Sequence, residues 1–151
     1  MNSHKQATYL LSALILFTCL IPASAWARKN PLEKNGTFGF EYYGNFVTLN
    51  YSITCLGESY KPGNLTFQIE LEDTKGFDLS RQVVESECKL KDVRNKKVAG
   101  KVERISDSSI RILFPFDEDF KLDGKMKLYT VIRDYKLYQT FECDRSSLTL
   151  K

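Results

Sequence analysis

Few residues in this 151-residue chain can do chemistry, and their types narrow the options quickly. The single histidine, His4, stands near the start, ahead of a long apolar run. With no histidine further on, the body of the chain cannot assemble a Ser-His-Asp or Cys-His nucleophile, nor histidine-ligated metal catalysis. Paired carboxylates remain available as general acid and base. The densest acidic run is Asp117, Glu118 and Asp119, which follows an apolar segment in the manner of a solvated turn. Acids alternate through Asp117 to Gly124 as in a calcium loop, but Lys121 takes the fifth position and Leu122 the sixth, where an EF-hand has glycine. A plain loop is expected there, and the chain reads as a non-enzyme with no cofactor.

Cysteine is the other reactive type, with four present. Cys19 falls within residues 1–27, which read as a cleaved secretory signal. That segment has a weakly positive start at Lys5, the run "LLSALILFTCLIP", and small-residue cleavage sites in "ASAWA". The run is shorter than the roughly 20 apolar residues of a membrane span. A soluble product without a membrane span is therefore expected, secreted to the extracellular space or periplasmic in a bacterium. Cys55, Cys88 and Cys143 remain. In an oxidising compartment two of them pair, and closing so long a loop stabilises a fold by on the order of 4 kcal/mol in the chain-entropy model. All three pairings stay open, with the odd cysteine either a buried free thiol or part of an intermolecular bridge. Structural zinc, with about four closely spaced ligands, does not fit.

Loss of the signal removes Lys5 alone among Lys and Arg, so the formal charge falls from +3 to about +2. That balance gives no support for binding nucleic acid or for a general attraction to anionic membranes. One local exception exists. In "KLKDVRNKKVAGKVER", Lys89, Lys91, Arg94, Lys96, Lys97, Lys101 and Arg104 face only Asp92 and Glu103. On a β-hairpin, bases from both arms share one face and form a stripe for a sulfated glycan, an anionic lipid surface or an acidic partner. The plainer role is a lysine-rich edge that resists strand-to-strand aggregation. Asn35-Gly36-Thr37, Asn50-Tyr51-Ser52 and Asn64-Leu65-Thr66 are sequons, so Asn35, Asn50 and Asn64 are candidate glycan acceptors in a eukaryotic secretory pathway.

The elements that must position these groups have period two. Val47, Leu49, Tyr51, Ile53 and Cys55 alternate with polar residues, as do Leu65, Phe67, Ile69 and Leu71. Val84, Ser86, Cys88 and Leu90 repeat the pattern more weakly. Ile110, Ile112, Phe114 and Phe116 alternate until Pro115 and the acidic run stop the strand. Leu128 to Tyr135 reads as a strand buried on both faces or twisted, and Phe141 and Cys143 share a face further on. Turn formers separate these runs: "GESYKPGN", "EDTKG", "RNKK", "ISDSS", "RDYK" and "LDGK", whose Asp-Gly is the strongest hairpin signal. No amphipathic helix stands out. The expected fold is all-β, one antiparallel β-sandwich or small barrel of about seven to nine strands.

"VTLNYSITC" and "YQTFEC" resemble the two cysteine-bearing strands of an immunoglobulin-like domain, which implies that kind of sandwich architecture. No Trp follows Cys55, and Phe141 takes the place of the corner tyrosine, so no family is assigned. Residues 28–36 are polar enough to fray, and 37–151 form one domain. The functional expectation is a small secreted non-enzymatic protein that recognises an extracellular macromolecule, such as a receptor, a host factor or an enzyme to be inhibited. The alternatives are a carrier of a small apolar ligand and a binder of sulfated glycan or an anionic surface through the basic hairpin.

Overall fold

The computed structural model describes residues 32–143; the expected leader (residues 1–27), positions 28–31 and the tail 144–151 lie outside the described residues. Among the described residues, nine strands form two antiparallel sheets. Sheet A has the order β1-β2-β3-β7-β6, built from β1 (Glu33–Tyr42), β2 (Asn45–Gly57), β3 (Asn64–Leu71), β7 (Ser109–Pro115) and β6 (Lys101–Ser106). Sheet B has the order β5-β4-β8-β9, built from β5 (Lys97–Ala99), β4 (Lys89–Lys91), β8 (Gly124–Ile132) and β9 (Tyr135–Cys143).

The period-two pattern decides which side of each strand is buried. Leu49, Tyr51, Ile53 and Cys55 of β2 face inward with Leu65, Phe67, Ile69 and Leu71 of β3. Opposite them, Met126, Leu128, Thr130 and Ile132 of β8 and Leu137, Phe141 and Cys143 of β9 close the second layer. The two inner faces meet directly. The Phe67 ring lies 5.1 Å from that of Phe141, and the Phe38 ring lies 5.3 Å from that of Tyr135. Each fully buried side chain of this size contributes about 1.5–3 kcal/mol.

The chain crosses between layers three times. At Gly100, between β5 and β6, the crossing is abrupt, and a Cβ would come within 2.6 Å of Ile112 Cγ2 and Phe114 Cε1. Only glycine fits so close to the core.

Several sequence expectations need correction. β1 starts at Glu33 and takes in residues 33–36 of the segment expected to fray, because Leu32 is buried and its carbonyl accepts from the Cys55 amide at 2.8 Å. The weak alternation at 84–90 is mostly not a strand. Asp78 caps a single turn of helix α1 (Leu79–Gln82) by accepting from the Ser80 amide, a 3-10 turn follows at Glu85–Glu87, and only Lys89–Lys91 pairs as a strand. Asp123-Gly124 makes no hairpin, since β7 and β8 belong to different sheets; Gly124 (φ +101°) instead opens β8 beneath Val93. Leu128 to Ile132 is buried on one face only, with Arg133 in the tight turn to β9.

Candidate functional site

Pairing within sheet B assembles a basic surface that no single segment carries. On β4, Leu90 points inward, so Lys89 and Lys91 point out. Lys91 stands opposite Lys97 of β5 on one side and Lys127 of β8 on the other. Three lysines thus form one row across three strands, about 4.8 Å apart from strand to strand. Among the described residues, none of the three makes an ion pair. In the next row, Lys89 faces Tyr129, which faces Tyr138, and the two tyrosine rings pack edge to face at 6.1 Å. Tyr138 is 50 % exposed. Lys125 at the border pairs with Glu142 at 3.7 Å, and Lys89 with Glu87 at 3.6 Å.

Like charges placed directly opposite on a sheet destabilise it. An edge lysine such as Lys97 protects against strand addition. That explanation does not extend to Lys91 and Lys127, which sit on the two central strands of the sheet. Their placement opposes folding stability and leaves a patch of unbalanced charge.

The seven bases of the Lys89–Arg104 cluster are therefore divided. Lys89, Lys91 and Lys97 lie on the outer face of sheet B. Arg94 and Lys96 occupy the β4–β5 turn and hold the acidic loop: Arg94 donates to the Asp119 carbonyl, and Lys96 Nζ lies 2.7 Å from Asp117 Oδ1 and 3.7 Å from Asp119 Oδ2. Hydrogen bonding to Asp117 holds the Lys96 ammonium above its ordinary range. Beyond the crossing, Lys101 and Arg104 belong to β6 of sheet A, and Arg104 is engaged with Asp107 and, at 3.0 Å, with Ser80 Oγ. The expected single stripe is replaced by a face whose other half, Lys125, Lys127, Tyr129 and Tyr138, comes from β8 and β9. The sequence signal for Lys125, Lys127 and Tyr129 was their alternation with Met126, Leu128 and Thr130, but only register shows that Lys127 joins Lys91.

Asp92, an exception to this exposed chemistry, is 2 % exposed. Its Oδ1 accepts from the amides of Arg94 (2.8 Å) and Lys96 (2.9 Å), and its Oδ2 from the amide of Lys121 (3.0 Å). Burial alone would push the carboxyl up. The three amides and the Arg94 guanidinium outweigh it and hold the group below the ordinary carboxylate range. Asp92 thus pins the β4–β5 turn and the 117–121 loop together. Among the described residues, no group of three or more His, Cys, Asp or Glu is arranged to hold a metal ion.

Sheet A presents a different outer face. Asn35 pairs across the strands with Ser52, and Thr37 with Asn50, so two of the three sequons interlock residue for residue. Asn50 Nδ2 donates to Glu72 Oε2 at 2.8 Å. Asn64 opens β3 and donates to the Pro62 carbonyl at 3.3 Å. Nearby, Tyr60 folds over Arg111, whose guanidinium lies 4.2 Å from the ring centroid.

The third exposed feature is the β1–β2 hairpin, absent from the sequence expectations although "EYYGNF" carried its signal. Tyr43 (φ 48°) and Gly44 make the turn, and Tyr43 and Phe46 are 86 % and 77 % exposed. Beside them, the Arg133 guanidinium stands 5.5 Å from the Tyr42 ring. No helix among the described residues is long and apolar enough to cross a membrane. Protein-family models, curated proteins and solved structures each give no significant match to this chain.

Proposed function

We propose that this chain is a small secreted, non-enzymatic β-sandwich protein that binds an anionic extracellular macromolecule, a sulfated glycan, through the outer face of sheet B. The observation that carries this reading is the Lys97–Lys91–Lys127 row, whose inner members Lys91 and Lys127 sit on central strands where their mutual repulsion has no structural use. Three point charges at strand spacing complement repeated sulfates along a linear polymer, and the Tyr129–Tyr138 pair beside them offers ring faces to sugar C–H groups. Lysine binds such anions as a compact charge rather than a planar fork, which suits a flexible polymer. The interlayer space is filled by Phe67, Phe114 and Phe141, which favours a surface ligand over an enclosed apolar one.

Export would also put the interlocked sequons of sheet A to use. Glycans on Asn35 and Asn50 would cover that face and leave sheet B open. Retention on an immobilised sulfated polysaccharide, compared with a simple sulfonate resin of matched charge density, tests the reading. Later elution from the polysaccharide supports it, and equal or earlier elution speaks for charge alone.

A second reading, a protein partner, is favoured by the hairpin tip, where Tyr43 and Phe46 are displayed beside Arg133. Large aromatics and arginine dominate protein–protein hot spots, and backbone strain such as that at Tyr43 clusters at functional positions. A partner captured by the native chain and lost by the Y43A/F46A variant would support it. Equal capture by both would remove it.

A further inference from the structure

We infer that Cys55 and Cys143 form the one disulfide of the folded domain, bridging the two sheets, and that Cys88 stays a free thiol. Cys55 lies on β2 of sheet A and Cys143 at the end of β9 in sheet B, both buried and both unbonded in the structure. These strands face each other across the core, and two contacts in step, Tyr51 with Gln139 and Cys55 with Cys143, give them one direction. Gln139 Nε2 donates to Tyr51 Oη at 2.8 Å, and four residues further along each strand stand Cys143 and Cys55. On both strands the odd-numbered residues face inward, so the step of four returns both side chains to the same interface. There the two thiols are close enough that each shifts the other's titration.

Cys88 is committed elsewhere. It sits in sheet B at the entrance to β4, with its sulfur 3.0 Å from Thr130 Oγ1 and 3.6 Å from the Val84 carbonyl. Those partners satisfy the thiol, and burial pushes its pKa up and away from reaction.

As the pair closes, one of the two cysteines loses its proton and its thiolate attacks one sulfur of a small disulfide such as oxidised glutathione, giving a mixed disulfide and releasing one glutathione thiolate. The other cysteine then loses its proton and attacks the first cysteine's sulfur, and the second glutathione leaves as thiolate. Two protons and two electrons pass from the protein to the oxidant, and two reduced glutathione molecules result.

Non-reducing peptide mapping of the full chain, equilibrated with oxidised and reduced glutathione and then blocked with N-ethylmaleimide under denaturing conditions, tests this. The expected result is a single cross-linked species joining the Cys55 and Cys143 peptides, with Cys88 recovered as its maleimide adduct. The C88S variant should give the same cross-link, and C55S should give none within the domain. Cys55 and Cys143 both recovered as adducts, or any major cross-link through Cys88 or Cys19, would overturn the assignment.

Discussion

Lys91 and Lys127 stand directly opposite one another on the two central strands of sheet B, and Lys97 extends the same row to the edge. Neither central lysine has an ion-pair partner among the described residues. Folding brings these charges together at a cost, and a polyanion bound across the row would offset it.

The cost is measurable. Cross-strand pairs are worth about 0.2–1 kcal/mol, with like charges unfavourable. K127Q should therefore raise stability to denaturant by about 0.5 kcal/mol at low ionic strength. The gain should fade as salt screens the row. A loss of stability, or a gain that ignores salt, would mean that the lysines are not in conflict.

Asp92 sets the acid limb of stability. Its carboxyl titrates lower in the folded protein than the ordinary value near about 3.9. The stabilisation it provides is therefore complete above that value and is lost as pH falls through the folded one. D92A leaves three amides of the β4–β5 turn and acidic loop without their acceptor, and should cost about 3 kcal/mol near neutral pH. Urea titrations near neutrality and at about pH 3 should show the gap to the native protein narrowing in acid. A gap independent of pH would assign the effect to shape rather than charge.

G100A places a methyl group against Ile112 and Phe114, both fully buried. Overpacking of this kind costs about 1–3 kcal/mol. Thermal unfolding of the variant should show the loss. An unchanged transition would mean that the layer crossing yields more readily than its contacts imply.

Reduction should weaken the oxidised fold by up to about 4.6 kcal/mol, the chain-entropy value for so long a loop. The C88S variant should show the same redox-dependent shift in denaturation midpoint. A shift that disappears in C88S would place Cys88 in the bridge.

What was legible in the sequence followed from local alternation. The inward set of β2, from Val47 to Cys55, and the stop at Pro115 were readable because period two and proline act within a few residues. The β1 strand was missed because Gly36 and Gly39 dilute the alternation of Phe38, Phe40 and Tyr42. The extended reading of 84–90 failed because a 3-10 turn at Glu85–Glu87, closed by the Glu87 and Cys88 amides on the Val84 and Glu85 carbonyls, interrupts it. The candidate site was half legible. Lys89, Lys91 and Lys97 are sequence neighbours, but Lys127 joins them only through the register of β4 on β8, which hydrophobic pattern alone does not specify. Cysteine pairing was illegible for a similar reason, since it depends on how the two layers stack.

The most direct test of the central claim is a calorimetric titration of a size-defined sulfated oligosaccharide into the native protein and into K91Q/K97Q/K127Q. Circular dichroism would first establish that the variant keeps its β-sheet signal. The account predicts saturable binding by the native protein that weakens with salt, and at least about a tenfold loss of affinity, roughly 1.4 kcal/mol, in the variant. Equal affinity in a folded variant, or no binding by the native protein at low salt, would contradict it.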